Sequence, residues 1–412
     1  MRSWILYPAS EGWLDMNHIR HAGLIVFLVF LCVGSRAEEF IAFDFLKEEA
    51  KKNNPEIKAS RAGYESLKQR AVEQRILDKT TVGMENTADD TMFFFRQMLP
   101  FPGKLSLRGR MAEYEAEAAK EKWRSELLEV TAELKKNYWK YWLNDSMIAI
   151  YLENTDLMKR FVSIAETRYA TGKSSQLDLL KAKTELKELE ARLLLLVQEK
   201  VSLQAEINRL CNRPSGAILG KPVTPLTEKR EYSYEEWEKM ALENRPEMRV
   251  ANILYLKSQK GLSLARREWY PDFMAEVRKP GEENPVYMVE MTLPIFFNKQ
   301  AAAVKMARSE SKAEHEMVEA LGRDTEEKVK SFFTGYETRL KTALLYEKDI
   351  LPYAKQILEV TESGYRTGKN DFLDLLDSQR KYLVYMLDFY MNKVESEIYL
   401  AELERTAGIE EK

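Results

Sequence analysis

Three acidic residues near the C-terminal end are the best candidates in this sequence for an interaction with ions. Asp371, Asp374 and Asp377 are spaced three residues apart, shortly after Gly368. Residues i and i+3 project from one face of a helix, so Asp374 and Asp377 would present two carboxylates that attract cations. The alternative is that they are solvated carboxylates that favour the start of a helix, with Asp371 as its N-cap.

Residues suited to covalent chemistry are scarce. The chain has 3 His and 2 Cys, and His18, His21 and Cys32 fall in an N-terminal leader, which leaves His315 and Cys211. His315 lies between two glutamates, with no second His or Cys near it in the sequence. We therefore predict no catalytic centre, no metal site, no cofactor and no disulfide. The glycine-rich patterns that bind nucleotides are also absent, so we do not expect an enzyme.

The composition narrows the protein class further. Of 412 residues, 45% are hydrophobic, which is compatible with a folded core and unlike a disordered chain. The 63 basic and 66 acidic residues leave a net charge of -3. No basic field is available to hold phosphates, so nucleic acid is not an expected partner.

The N-terminus has the pattern of an export signal. An apolar stretch of 12 residues, Ala22 to Val33, follows Arg20 and precedes Ser35-Arg36-Ala37. It is shorter than the roughly 20 residues that span a bilayer. We interpret residues 1–37 as a cleaved signal peptide, with Met16 as an alternative start, and regard an uncleaved anchor as the competing interpretation.

The chain repeats itself once, at offsets of 191 to 196 residues. Three patterns recur in order: Asn53–Ile57 with Asn244–Met248, Met98–Phe101 with Thr292–Ile295, and Tyr169–Leu180 with Tyr365–Leu376. Such repetition indicates one structural unit used twice. We predict a first repeat over 38–211, a connector rich in Pro and Gly over 212–232, a second repeat over 233–408 and a tail over 409–412.

Each repeat is predicted to contain a short helix, a β-hairpin, a very long helix, a turn and a shorter helix. The ranges are strands at about 81–99, a long helix over 104–170 and a helix over 174–211, then strands at about 271–293, a long helix over 298–366 and a helix over 371–408. Gly172 and Gly368 stand where the long helices must end, because glycine adopts the left-handed conformation that closes a helix. The fold class is mostly α with a small β part.

Two patterns in the predicted helices of the first repeat indicate packing. Leu189, Leu196, Leu203 and Leu210 repeat every seven residues, which is typical of coiled coils. The aromatic run Tyr138, Trp139, Tyr141 and Trp142 has mixed helical spacing, and we interpret it as packing between helices rather than as a ligand site. An elongated helical bundle follows.

The hairpins alternate as strands do when one face meets lipid and the other water. Tyr287, Val289 and Met291 alternate with Met288 and Glu290. Four strands cannot close a barrel within one chain, since the smallest single-chain barrels have about eight. Several chains would therefore share one barrel, because open sheet edges are not tolerated in lipid. The alternative is two soluble hairpins packed on the bundle.

With its leader and tandem units, the chain resembles the TolC family of outer membrane efflux proteins over nearly all of 38–408. The resemblance rests also on the segments Gln97–Leu105 and Leu293–Phe296, and on a Tyr-x-x-Gly turn followed by Leu-Asp-x-Leu in both repeats. The Pro-Phe-Pro-Gly-Lys-Leu run is most similar to the branch that serves heavy-metal cation efflux pumps.

The resemblance implies a homotrimer with a tunnel of long helices in the periplasm and a shared 12-stranded β-barrel in the outer membrane, four strands from each of three chains. It would be a passive exit duct of a tripartite efflux or type I secretion system. A periplasmic adaptor would bind the tips of the helical hairpins, where each long helix turns into the shorter one. It would connect them to an inner-membrane pump of RND or ABC type. The implied tip residues are Tyr169, Gly172, Leu177 and Asp178, then Tyr365, Gly368 and Leu373.

The resemblance also implies a periplasmic gate at Asp374 and Asp377, with Asp371 beside it. The first repeat carries Lys181 in the place equivalent to Asp377, so only the second tip has the acidic pair. Asn370 stands where a basic residue can latch the closed tip. The competing function is an exported periplasmic coiled-coil scaffold or adaptor without a pore. The exported substrate, whether metal cation, drug or protein, is not predicted.

Overall fold

The computed structural model describes residues 40–86, 91–224, 232–281 and 283–410. The predicted signal peptide over 1–37 lies outside these ranges. The first half contains β1 Phe40–Ile41, α1 Phe43–Asn53, α2 Pro55–Glu73, β2 Thr81–Asn86, β3 Thr91–Leu99, α3 Lys104–Ala170 and α4 Gln176–Leu210. The second half contains β4 Lys221–Pro222, α5 Tyr234–Asn244, α6 Pro246–Arg267, β5 Asp272–Pro280, β6 Val286–Thr292, α7 Phe297–Leu345, a π-helical turn Tyr346–Ile350, α8 Leu351–Thr367 and α9 Phe372–Thr406.

Helix α3 is the axis on which the other long elements pack. Its 67 residues give a length of about 100 Å at 1.5 Å per residue. It packs against α2, α4, α6 and α9. The four leucines of the heptad pattern, Leu189, Leu196, Leu203 and Leu210, are all buried, which confirms the predicted packing seam. The predicted fold class, mostly helical with a small β part, is confirmed.

The aromatic run of α3 packs between the helices and contacts the connector that joins the two repeats. Tyr138, Trp139, Tyr141 and Trp142 are buried, as packing residues should be. The Tyr138 hydroxyl lies 2.8 Å from the Ile41 carbonyl oxygen and 2.7 Å from the Val223 carbonyl oxygen. It therefore holds the parallel ladder of β1 and β4, which the sequence did not reveal.

The second long helix is interrupted, unlike the first. The sequence predicted one helix over 298–366, but the π-helical turn separates α7 from α8. Pro352 has no amide hydrogen, so it cannot donate to the carbonyl one turn earlier. Leu351 instead donates its N–H to the carbonyl oxygen of Tyr346, five residues back.

The four strands form one antiparallel sheet in the order β2-β3-β5-β6. The two repeats meet where β3 pairs with β5, so each repeat supplies one hairpin. The outer edges of β2 and β6 have no partner strand among the described residues. None of the described helices is long and apolar enough to span a membrane.

The two faces of the sheet differ in chemistry. Residues that share the first face are mostly apolar and many are exposed, among them Val82, Met84, Phe93, Phe95, Tyr287, Val289 and Met291. The second face carries Glu85, Arg96, Glu276, Arg278 and Glu290. This alternation is what a strand needs when it separates lipid from water.

A buried lysine joins the sheet to the helices. Lys104 opens α3 and is only 1% exposed. Its ammonium donates to the Tyr270 carbonyl oxygen at 3.0 Å and to the Asp272 carboxylate at 2.9 Å, and it lies 3.0 Å from Glu268. Asp272 also accepts the N–H of Phe101 at 2.7 Å. Because Lys104 and Phe101 belong to the first repeat and the acceptors to the second, this cluster couples the two repeats directly beneath the sheet.

Candidate functional site

The tips of two helical hairpins lie together at the end of the bundle opposite the sheet. Gly172 follows α3 with φ 68°, and Gly368 follows α8 with φ 79°. Both angles lie in the left-handed region, where a Cβ would be strained. Lys173 donates its N–H to the Arg168 carbonyl oxygen at 2.8 Å, and Lys369 donates likewise to Gly364 at 2.8 Å. The two turns therefore close by the same bonding pattern, as their repeated sequence indicates.

The first tip uses its acidic residue to cap α4. The Ser175 hydroxyl accepts the N–H of Asp178 at 3.2 Å, and the Asp178 carboxylate accepts the N–H of Ser175 at 3.2 Å. Ser174 donates its hydroxyl to the same carboxylate at 3.0 Å. Asp178 therefore shapes the turn from within.

The second tip opens α9 with the three candidate gate residues. Asp371 occupies the N-cap position, and its N–H donates to the Asp374 carboxylate at 3.4 Å. Asp377 forms an ion pair with Lys381 at 2.9 Å, and this contact raises the pKa of Lys381. All three aspartates are exposed. Within one chain, Asp371 and Asp374 thus help to start the helix, while their carboxylates and that of Asp377 remain open to solvent.

An arginine that the sequence did not single out connects the two tips. Arg168 donates to the Tyr365 carbonyl oxygen at 2.6 Å and to the Lys173 carbonyl oxygen at 3.3 Å. Its guanidinium lies 4.8 Å from the Tyr365 ring centroid. At the offset of 196, Gly364 takes the place of Arg168 in the second repeat. This mismatch within a well-matched region is the signal that could have marked Arg168.

Tyr365 is enclosed between the hairpins. It is 2% exposed, and its ring lies 5.6 Å from that of Phe372. Burial raises the pKa of its hydroxyl. Its counterpart in the first repeat, Tyr169, is exposed. Of the two predicted tip tyrosines, the structure thus places only Tyr169 on the surface.

Further along, two polar contacts hold α9 against the first hairpin. Arg380 donates from Nε to the Glu185 carboxylate at 2.8 Å, and Glu185 is buried. Gln379 donates to Asn154 at 3.0 Å, and both residues are buried. The hydrogen bond to Glu185 raises the pKa of Arg380. These contacts, together with Arg168, join the two hairpins over several helical turns.

The tips expose apolar side chains to solvent. Leu177 and Leu373, which correspond in the two repeats, are each 58% exposed. Leu180 is also exposed, whereas its counterpart Leu376 is buried. Apart from its two chain neighbours, no described residue has a heavy atom within 4 Å of a Cβ built on Gly172. The tips therefore present leucines beside open backbone, a surface suited to a protein partner.

His315 and Cys211 are the remaining candidates from the sequence, and both lie among packing contacts. His315 is exposed, lies 3.7 Å from Glu319 and packs its ring 5.2 Å from that of Tyr255. Cys211 is buried and forms no disulfide within the part of the chain that the structure describes. Among the described residues, no group of three or more His, Cys, Asp and Glu side chains could hold a metal ion.

Comparison with known proteins places this architecture in a family. The profile described as "Outer membrane efflux protein" matches residues 53–213 and 237–408. The cobalt-zinc-cadmium resistance protein CzcC of Cupriavidus metallidurans is 23% identical over 315 residues, which cover 72% of each chain.

Solved structures show the same fold. The outer membrane protein VceC of Vibrio cholerae superposes with a TM-score of 0.78 at 15% identity, covering 89% of this chain and 96% of VceC. The structure of CusC superposes with a TM-score of 0.77 at 14% identity, covering 89% and 92%. The profile match confirms the family predicted by resemblance. Members of this family are channels, which agrees with the prediction that the chain is not an enzyme. The chain belongs to the outer membrane efflux protein family.

Proposed function

We propose that three copies of this chain form the passive exit duct of a tripartite efflux system, with a β-barrel in the outer membrane and a helical tunnel in the periplasm. Family membership makes the chain an outer membrane efflux channel. The oligomeric state, the partners, the gate and the cargo are our proposals. We further propose the organisation into repeats 38–211 and 233–408, joined by a connector over 212–232, and export by the leader 1–37.

The four-stranded sheet carries the proposal of a trimer. Within the described ranges both of its edges are open, and its apolar face is exposed, with Val289 at 75%. In lipid, open edges leave backbone groups without partners, so the sheet must close on copies of itself. Three chains would supply 12 strands from the four that each provides, which is within the range of bacterial barrels. The apolar face would then meet lipid and the face with Arg96 and Glu276 would line the lumen.

The hairpin tips are the proposed docking site for a periplasmic adaptor. Exposed leucines at Leu177 and Leu373 lie at the two tips, and Gly172 leaves the backbone of the first turn open. Arg168 and Arg380 hold the two hairpins in one arrangement, so a partner meets both tips in a defined geometry. The adaptor would connect this channel to an inner-membrane pump of RND or ABC type that supplies the energy.

Asp374 and Asp377 are the proposed gate. In a trimer, the two exposed carboxylates of each chain would place six around the entrance. Such a cluster attracts cations and repels anions. Because Asp371 occupies the N-cap of the helix, we propose that it supports the gate by holding the start of that helix.

The cargo is proposed to be a metal cation. The relative CzcC is named for cobalt, zinc and cadmium resistance, and it matches 72% of this chain. An entrance lined by carboxylates is compatible with such ions. Both observations favour a positively charged ion, which the pump would hand over to the channel.

Expression of the full chain with its leader, followed by fractionation and native mass spectrometry in detergent, tests the assembly. We expect a trimer in the outer membrane fraction that conducts ions in planar bilayers. Val82→Lys, on the apolar face, should reduce insertion because a lysine facing lipid costs up to roughly 2–4 kcal/mol. The matched variant Thr81→Lys places the same charge on the other face and should insert normally. A water-soluble monomer, as expected for a scaffold or adaptor, would reject the proposal.

A further inference from the structure

A group of large apolar side chains is exposed where the sheet meets the helices. Trp269 follows α6, and Leu293, Ile295, Phe296 and Phe297 lie between the end of β6 and the first residue of α7. All five are exposed, Phe296 at 74%. The Trp269 ring stacks on the Phe297 ring, with 6.0 Å between the centroids and 12° between the planes. We call these five residues the junction belt.

The junction belt extends the apolar face of the sheet. Strand β6 has 7 residues, fewer than the roughly 9–11 that a transmembrane strand needs. Met291 lies on the apolar face near the end of this strand, and Leu293 and Ile295 follow with the same two-residue spacing. They therefore supply apolar surface where the strand itself is too short to cross the hydrocarbon layer.

Two basic side chains border the junction belt. Arg266 precedes Trp269 by three residues, and Lys299 follows Phe296 by three, a spacing that places side chains on the same side of a helical turn. The N–H of Lys299 donates to the Phe296 carbonyl oxygen at 2.9 Å, which closes that turn. Both basic side chains are exposed. Each is thus available to a negatively charged group that approaches the belt.

The charges around the junction belt leave these cations without local compensation. Glu268, the acidic residue nearest to Arg266 in the sequence, lies 3.0 Å from Lys104 and 3.9 Å from Arg108. Residues 294–309 contain three basic and no acidic residues, although the whole chain has a net charge of -3. The border of the belt is therefore locally positive on a chain that is slightly negative.

This order of groups matches one leaflet of a bilayer. The headgroup layer on each side of the hydrocarbon core is about 5–8 Å thick. Lys299 lies two residues beyond Phe297, which is about 3 Å along a helix axis. Aromatic rings settle at the membrane interface, and lysine and arginine extend along apolar surface while their charged ends stay in water. The two cations would therefore lie at the depth of the lipid phosphates.

We propose that the junction belt, together with Arg266 and Lys299, is a docking surface for anionic phospholipids of the leaflet that faces the periplasm. The belt covers the acyl chains near the glycerol, and the two cations bind the headgroup phosphates. The orientation rests on the proposed function, in which the helices lie in the periplasm. Selection of the lipid by its charge goes beyond that function.

Fluorescence of Trp269 can report the lipid that contacts the belt, because bromine on an acyl chain quenches tryptophan. The full chain is reconstituted in vesicles that contain brominated phosphatidylglycerol or the same fraction of brominated phosphatidylcholine. We expect the anionic lipid to be preferred about threefold or more in the parent. Arg266→Gln with Lys299→Gln should abolish the preference. Arg160→Gln with Lys355→Gln removes the same charges from exposed positions of α3 and α8 and should retain it.

Two further measurements identify the reporter and the ligand. Trp269→Phe should lose most of the quenching, since Trp139, Trp142 and Trp237 are buried. Added salt should weaken the preference by screening. Inorganic phosphate at the same ionic strength should weaken it no further, and a larger effect would reject a lipid in favour of the free ion.

Equal quenching by the two lipids in the parent, or equal loss of preference in both double variants, would overturn the docking surface. Conductance measured on the same preparations separates this test from that of the channel. A conducting trimer in which Trp269 is not quenched would show that a second copy covers the belt, which rejects lipid docking and retains the duct. A chain that prefers the anionic lipid but forms no pore would retain the docking surface and reject the duct.

Discussion

Arg168, at the end of the first long helix, donates to the carbonyl oxygen of Tyr365 in the second hairpin at 2.6 Å. Its guanidinium also lies 4.8 Å from the Tyr365 ring centroid. Arg168 thus links the two turns through a residue that lies 197 positions away in the sequence. As long as this contact holds, the hairpins keep a fixed spacing, which matters if the entrance opens by their separation.

Replacing Arg168 with glutamine should loosen the second tip. The variant loses a charged hydrogen bond. Because the side chain is partly exposed to solvent, we expect this loss to cost about 1 kcal/mol of local stability. Hydrogen exchange at the amides of residues 365–370 should then accelerate about fivefold. Arg160→Gln, on the exposed face of the same helix, is the control. Unchanged protection in the Arg168 variant would show that the link does not hold the tips.

Removing the charges of the proposed gate should change ion selectivity. Asp374→Asn with Asp377→Asn removes six carboxylates from a trimer, while the amide oxygen introduced at position 374 can still accept the N–H of Asp371. We expect reduced cation selectivity and weaker block by divalent ions in planar bilayers. Glu153→Gln with Asp156→Asn removes the same charge at the same spacing from exposed positions of α3 and serves as the control. Identical reversal potentials in both variants would dismiss the gate.

The exposed leucines of the tips should determine adaptor binding. Leu177→Ala with Leu373→Ala removes apolar side chains that a partner would cover, each worth roughly 1–3 kcal/mol of binding free energy if buried centrally. We expect at least about tenfold weaker binding to the adaptor, measured by surface plasmon resonance. The fold should be unaffected, because both leucines are exposed. Met317→Ala, also exposed but on α7, should bind normally, and equal loss in both variants would argue against the tips.

Lys104 should stabilise the junction between sheet and helices. Lys104→Met removes a buried ammonium and leaves Asp272 and Glu268 without it; since both carboxylates keep some contact with solvent, we expect a loss of about 2 kcal/mol in the free energy of unfolding. Thermal unfolding followed by circular dichroism measures the change. Lys305→Met, at an exposed position of α7, is the matched control. Equal melting temperatures would contradict this assignment.

Ionisation of Tyr138 should lower the free energy of unfolding at alkaline pH. Burial raises the pKa of Tyr138 from 10.0 to about 12. Because the folded state keeps the phenol protonated, its contribution is fully present below pH 10 and is lost as the pH rises towards 12. The loss amounts to roughly 2–3 kcal/mol. Denaturant unfolding from about pH 9 to about pH 12 measures it.

Tyr138→Phe is the informative comparison for that profile. It should be less stable than the parent at neutral pH by about 1 kcal/mol, because the hydroxyl contact to Ile41 or Val223 is lost. Its stability should fall less steeply above the ordinary tyrosine pKa of about 10. Tyr353→Phe removes an exposed hydroxyl and should retain the steep profile. A parallel decline in parent and Tyr138→Phe would show that another group is responsible.

Local sequence patterns predicted the elements of this fold well because each pattern acts through its immediate neighbours. The heptad of Leu189 predicted a buried seam, since residues seven apart return to the same side of a helix. Gly172 and Gly368 predicted turns because their backbone angles are unfavourable for other residues.

Features that join distant segments were not predictable from such patterns. The hairpins could be recognised, but not that β3 pairs with β5. The contacts of Lys104 and Arg168 depend on acceptors 166 and 197 residues away. The π-helical turn is a local feature instead, and Pro352 within the predicted helix 298–366 is the residue in the sequence that could have marked it. At the tips, the sequence indicated Asp371 as an N-cap, but the hydrogen bond from its N–H to the Asp374 carboxylate required coordinates.

The pairing of β3 with β5 has a consequence for biogenesis. Arg96 and Glu276, which face each other across this pair, are 180 residues apart in the chain. During synthesis, the first β-hairpin therefore emerges long before its neighbour, with an apolar surface and a strand edge that lacks its partner. Such a segment is prone to aggregate. The order of synthesis thus leaves the first half of the sheet exposed until the second half can pair with it.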